Sequence, residues 1–222
     1  MDMSVLEQDI TTARLRSKVY RLLSDGFSQV DEKQFKLLKS GYVSVWRNIS
    51  EWLEEGKMFV PFINRLEEVI NSVDYEGLAA EHSRLFEPRS KLQVPPYETE
   101  YTLQESPQHA LTQQTQLSDI SGFYKAFGLS ISGERPDRVD HIATELEFMH
   151  VMALKESIAI ENDETDHIEI VRDAQQKFME DHLGRWTGYF RDRMAGSDDD
   201  GLYISLAELL KLWVSFDREY LC

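Results

Sequence analysis

The chain has 222 residues, of which 41% are hydrophobic and 29% charged, a balance that fits one globular domain large enough to bury a real core. Its formal net charge of −16 argues against nucleic acid and anionic membrane surfaces, which call for clustered Lys and Arg; it suits solubility, and it suits a basic peptide or protein segment as partner. The one cysteine, Cys222, excludes an internal disulfide, a Cys-rich zinc site and an iron–sulfur cluster.

The opening stretch "MDMSVLEQDITTARLRSK" lacks the apolar centre of a secretory signal. No apolar run approaches the ~20 residues of a membrane span, so the expected location is the cytoplasm. Val5, Ile10, Ala13, Val19, Leu22 and Leu23 recur at helical spacing and predict a first helix over about 4–24, ended by Asp25-Gly26. A second helix follows Asp31 and stops at Gly41, and a third carries Val45, Ile49, Trp52 and Leu53. Pro61 suits the first turn of a fourth. The pattern continues through "YEGLAAEHSRLF" to Phe86.

From Glu87 to Ala110 the period is lost, and four prolines intervene: Pro88, Pro95, Pro96 and Pro107. A connection of this length without structure of its own is usually functional or disordered, and Tyr97 and Tyr101 argue against simple disorder. Within it, "VPPYETEY" combines a stiff proline pair with two aromatics and the carboxylates of Glu98 and Glu100. Such a segment either straps over helices or walls a groove for a peptide, and residue chemistry leaves both open.

Helix resumes near Thr112, and Gly128 suits the position just past its end. Asp137 or Asp140 is placed to cap "HIATELEFMHVMALKESIAI", which is apolar nearly all round and so expected to be central. A long helix then carries Val171, Ala174, Phe178, His182, Trp186 and Phe190 on one stripe, where His182 reads as a core histidine. Ser205 and Glu208 have the spacing of a capping box for the last helix. The expected architecture is all-α, a single domain over 1–222 of about eight to ten helices with a long Pro-rich loop.

Catalytic constellations are sparse. The chain has no Gly-x-Ser-x-Gly elbow, Walker A run or Gly-x-Gly-x-x-Gly. Glu147 and His150 form the Glu-x-x-His spacing of carboxylate-bridged di-iron bundles. The second such pair, Glu164 and His167, lies in a polar turn rather than deep in a facing helix. The alternative readings are therefore a helical metalloenzyme built on Glu147 and His150, or a scaffold that binds a basic helix.

The ordered set "AEHSRLFEP", "PPYETEY", "DHIATELEFM" and "KFMEDHLGRWTGYF" resembles the TorD/DmsD/NarJ family of molybdoenzyme assembly chaperones, over about residues 20–220. The resemblance implies an all-helical, cytoplasmic binding protein with no catalytic turnover and no stably bound cofactor. It implies a client: the catalytic subunit of a molybdenum oxidoreductase, bound through an N-terminal region that is often a twin-arginine signal. Binding holds back export or keeps the apoenzyme open until molybdopterin guanine dinucleotide is inserted in the client.

By motif, the implied client-binding residues are Glu81, Arg84 and Phe86, then Pro96, Tyr97, Glu98 and Tyr101, then Asp140, His141 and Glu145. Carboxylates such as Glu98, Asp140 and Glu145 have the chemistry to receive guanidinium groups, and Tyr97 and Tyr101 to cover an apolar stretch. A monomer, or a dimer that exchanges elements about the Pro-rich loop, fits this reading.

Overall fold

A computed structural model describes residues 3–53, 55–87, 93–102, 109–131, 138–197 and 201–221. Among the described residues the regular elements are helical, with ten α-helices of eight residues or more and three short helical pieces. In chain order these are α1 (Met3–Phe27), α2 (Glu32–Lys39), α3 (Tyr42–Trp52), α4 (Val60–Ser72), α5 (Tyr75–Phe86), the four-residue α6 (Thr99–Thr102), α7 (His109–Ala126), α8 (Ile142–Glu161), α9 (Thr165–Phe178), α10 (Gly184–Ala195) and α11 (Leu202–Leu221). A 3₁₀ turn, Gly56–Met58, precedes α4, and a π-helical turn, Met179–Leu183, joins α9 to α10. Among the described residues the sole β pairing is an isolated bridge between Tyr97 and His141.

Several helix ends follow from local chemistry. Asp31 accepts a hydrogen bond from the Gln34 amide at 2.7 Å, and Asp74 accepts from Gly77 at 2.8 Å, so each satisfies an orphan donor of its helix. Pro61 occupies the first turn of α4. Gly128 adopts φ 73° and lets the Leu129 amide reach the Tyr124 carbonyl at 2.8 Å, which closes α7.

Other ends depart from expectation. Asp25-Gly26 does not stop α1, which runs on to Phe27. A side chain at Gly26 would meet the Tyr42 hydroxyl at 2.7 Å and Leu206 at 2.9 Å, so this glycine serves close packing rather than termination. The Ser205–Glu208 capping box does not form. α11 begins at Leu202, the Ser205 hydroxyl turns to the Gly201 carbonyl, and Glu208 pairs with Arg191 at 2.6 Å. His141, not Asp140, caps α8, accepting from the Ala143 amide at 3.2 Å. The other cap candidate, Asp137, lies outside the described residues, as do Pro88, Pro107 and Cys222.

The chain divides into two compact units. The first comprises Met1–Ser24, Tyr97–Trp186 and Asp217–Cys222. Its core holds Phe148 and Phe178 with ring centroids 4.5 Å apart, joined by Phe123 and Tyr124. At its centre the Arg16 guanidinium, fully buried, bonds Asp217, Glu156 and Gln175. Helix α8 is less enclosed than its composition predicts: Leu154 is 40% and Ile158 47% exposed.

The second unit comprises Asp25–Pro96 and Thr187–Phe216. It is built on Trp46, Ile63, Leu66, Leu85 and Trp213, all buried, with an aromatic cluster of Phe27, Phe86, Phe190 and Tyr203.

Candidate functional site

Six of the residues marked by motif meet within the first unit. Tyr97 bridges to His141, and the Glu98 amide donates to the Asp140 carbonyl at 2.9 Å. The Asp140 carboxylate then accepts from the Thr99 hydroxyl at 2.8 Å and from its amide at 3.3 Å. Arg138 grips the same carboxylate as a fork, Nε to Oδ1 at 2.9 Å and Nη2 to Oδ2 at 2.8 Å. Its guanidinium also lies 4.3 Å from the centre of the Tyr97 ring. The Glu98 and Thr99 amides, which follow the proline pair, are thus both satisfied by Asp140.

A second layer joins this strap to the π-helical turn. Both Glu98 oxygens lie 3.2 Å from His182 Nδ1, and Gln116 Nε2 donates to Glu98 Oε1. Tyr101 stacks on Trp186 with centroids 5.4 Å apart, and the Trp186 indole N–H donates to Glu145 Oε2 at 3.0 Å. The π turn widens the backbone where His182 must reach Glu98. Gly184 permits it, because a side chain there would strike the Met179 carbonyl at 2.5 Å.

The electrostatics are unusual for a buried volume. Glu98, Asp140 and Glu145 are all fully buried. Burial, then the charge of Glu98, pushes the Glu145 carboxyl well above the ordinary carboxylate range. Among the described residues Glu145 Oε1 meets no donor, which agrees with a carboxyl held toward its protonated form. A carboxyl whose folded-state pKa is raised contributes stability fully below its unfolded value of about 4.3, and that contribution is lost as pH rises through the folded value.

Glu145→Gln, which keeps an acceptor for Trp186 and supplies a permanent donor, is therefore expected to match wild type near pH 4. It should melt at progressively higher temperature than wild type as pH rises to 8. A melting difference that stays flat across that range would show that Glu145 is not held protonated.

The burial also assigns roles. Direct capture of a client guanidinium is expected from sequence of Glu98, Asp140 and Glu145. In this structure each is committed to an internal partner, and Asp140 already holds the guanidinium of Arg138. Tyr97 and Tyr101 are half-buried. Arg138 and Gln116 belong to the same network and carried no motif, and Trp186, within "KFMEDHLGRWTGYF", was not singled out for the site; the signal for Arg138 was its position two residues before Asp140 in "RVDH".

The remaining motif residues fall in the second unit. Phe86 packs edge-on against Tyr203 at 4.9 Å. Arg84 donates to Gln93 at 3.3 Å, the Glu81 carboxylate lies against Gly201, and Pro96 is buried at the end of that unit.

Beside the strap opens a cleft of about 820 Å³, walled by Thr102, Thr115, Gln116, Asp119, Asp181 and His182. A smaller groove of about 360 Å³ lies between α8 and α9, with Ile158 and Ile170 on its walls. The di-iron alternative does not assemble. Glu147 is exposed toward Arg21 at 3.7 Å, while His150 Nδ1 turns to Ser17, 2.8 Å from its hydroxyl. Glu164 and His167 pair with each other on the surface at 2.8 Å. Among the described residues no group of three or more His, Cys, Asp or Glu side chains could hold a metal ion, and no helix is long and apolar enough to cross a membrane.

Residues 59–192 match the family described as nitrate reductase delta subunit. The chaperone protein TorD of Shewanella loihica is 27% identical over 216 residues, covering 93% of this chain and 92% of the relative. The chaperone protein TorD of Vibrio parahaemolyticus is 24% identical over 212 residues, covering 93% and 94%. A selenate reductase assembly chaperone protein of Thauera selenatis is 34% identical over 82 residues, covering 37% of this chain and 42% of the relative. With a family match over most of the folded chain and relatives that align end to end, the chain belongs to the nitrate reductase delta subunit family, the TorD/NarJ family of molybdoenzyme chaperones.

Proposed function

We propose that the protein is a cytoplasmic, client-specific chaperone that binds the N-terminal region of a molybdenum oxidoreductase catalytic subunit and releases it once molybdopterin guanine dinucleotide has been inserted. It turns over no substrate and keeps no cofactor of its own; the client carries the cofactor. The observation that supports this most is the acidic cleft beside the braced strap, on a chain of net charge −16. Opposite potentials hasten encounter with a basic leader, and the half-buried Tyr97 and Tyr101 offer apolar surface to the residues that follow it. Ordering a flexible leader costs free energy, so the affinity is moderate, as a partner that must let go requires.

Affinity purification of the tagged full-length chain from its native host tests the reading. A large molybdenum oxidoreductase subunit is expected to co-purify, and deletion of that subunit's N-terminal region is expected to abolish its capture. Recovery of the truncated subunit at the full level would move the contact elsewhere on the client. Recovery of no such enzyme would defeat the reading.

A further inference from the structure

We infer that the strap, residues 97–102, is a lid: it lifts off loop 138–141 and the π-helical turn as one piece, and a segment of the client takes the place it leaves. What enters rests on the chaperone reading. The opening itself stands on three observations, all within the first unit.

The first is how the strap is held. Its two buried side chains, Glu98 and Thr99, are both polar, while Tyr97 and Tyr101 are half-buried and Glu100 is exposed. The strap thus buries little apolar surface of its own. Hydrogen bonds make its grip. The Glu98 amide and the Thr99 hydroxyl donate to Asp140, and Gln113 donates to Thr99 at 3.3 Å. Gln116 donates to Glu98, and to Thr102 at 2.8 Å. Water replaces such bonds when a segment opens, so each adds only modestly to closure. Segments with few buried apolar contacts open without unfolding the rest.

The second is a cost of closure. With the strap down, the Glu98 carboxylate is buried in the volume that holds Glu145 and Asp140, both also fully buried. Burial first, and then the charge of Glu98, raises the Glu145 carboxyl above the ordinary range. Gln116 and His182 answer Glu98 while the strap is closed, and His182 faces Asp119 on its other side at 3.4 Å. Opening returns Glu98 to water and parts it from Glu145.

The third is what the strap covers. Trp186 is fully buried, and Tyr101 lies over its ring with centroids 5.4 Å apart and planes 27° from parallel. The indole N–H is held by Glu145 at 3.0 Å, a bond made without the strap. Lifting the strap therefore uncovers a face of Trp186 whose ring is already fixed. An aromatic or long aliphatic side chain of the client fits there as Tyr101 does, which makes the strap an internal competitor of the client.

Amide hydrogen exchange of the full chain alone tests the opening. The Glu98 and Thr99 amides, which bond to Asp140, are expected to exchange at least about 100-fold faster than the slowest amides of α8. If they exchange only as slowly as those, the strap is a fixed wall and the inference is overturned.

A disulfide staple tests the consequence. Tyr97 and His141 are antiparallel bridge partners, a pairing that sets Cα atoms about 4.5–5.5 Å apart, within disulfide range. Tyr97→Cys with His141→Cys is made in a Cys222→Ser background, which removes the one native thiol. The same protein is compared oxidised and reduced, so the loss of the two side chains cancels. The reduced form is expected to capture the co-purified molybdoenzyme subunit at least about tenfold more tightly than the oxidised form, at equal helicity by circular dichroism. Equal capture in the two states overturns the lid.

If neither state captures a subunit that the wild type does, exchange in the wild-type complex decides. The bound subunit is expected to quicken the Glu98 and Thr99 amides, and slower exchange there overturns the lid. The chaperone reading fails separately. A strap that stays closed while the subunit is captured removes the lid and leaves that reading in place. If no molybdoenzyme co-purifies, that reading falls, and exchange in the free chain still decides whether the strap opens.

Discussion

Arg16→Met is expected to lower stability by about 3–5 kcal/mol, the largest effect of any single substitution considered for this protein. The side chain is fully buried and makes four hydrogen bonds: Nε and Nη2 to the two oxygens of Asp217 at 2.5 and 3.0 Å, Nη1 to Glu156 at 2.7 Å and Nη2 to Gln175 at 2.7 Å. Removing it leaves Asp217 buried with the Tyr20 hydroxyl donating at 2.5 Å, and leaves Glu156 with Arg172 and Gln175. An uncompensated buried carboxylate, rather than the lost packing of one side chain, sets the magnitude.

For a chain of this size such a loss corresponds to a fall in the melting midpoint of roughly 10 °C. Thermal denaturation followed by circular dichroism measures it. Arg16→Met combined with Asp217→Leu should recover much of the loss, because an apolar pair of similar volume no longer buries a lone charge. A single variant within about 1 kcal/mol of wild type would mean that water reaches Asp217.

Asp140→Ala is the second large effect, at about 2–4 kcal/mol, and it is local in origin. One carboxylate satisfies the Thr99 amide, the Thr99 hydroxyl and the Arg138 fork. Thr99 is 1% exposed, so its amide has no water to turn to when the acceptor goes, whereas Arg138, 38% exposed, does. Amide exchange at Glu98–Thr102 should therefore accelerate more than exchange in α8. Asp140→Asn, which keeps one acceptor for Thr99, should cost less than half as much. Uniform acceleration across the whole chain would mean that the strap has no separate opening and that Asp140 acts only through global stability.

Helix existence was legible because it depends on local terms. The apolar spacing of α1, the caps Asp31 and Asp74, Pro61 in the first turn of α4 and Gly128 after α7 act within a few residues of themselves. The family was legible because "PPYETEY" and "DHIATELEFM" stand in order along the chain. Where a residue's partner is distant in sequence, the reading failed or stayed open. Gly26 resembles a stop signal, but Tyr42 and Leu206 decide its use. Glu208 has capping-box spacing, but Arg191 claims it.

Sequence by itself therefore determined the all-helical class and the family. Tertiary structure alone decided that the carboxylates of Glu98 and Asp140 face inward, since Asp140 meets Thr99 across 41 positions and Glu98 meets His182 across 84. The reason is physical: a carboxylate's sequence neighbours do not reveal whether water or a guanidinium will neutralise it, because that depends on which distant side chains the packed core brings within hydrogen-bond reach.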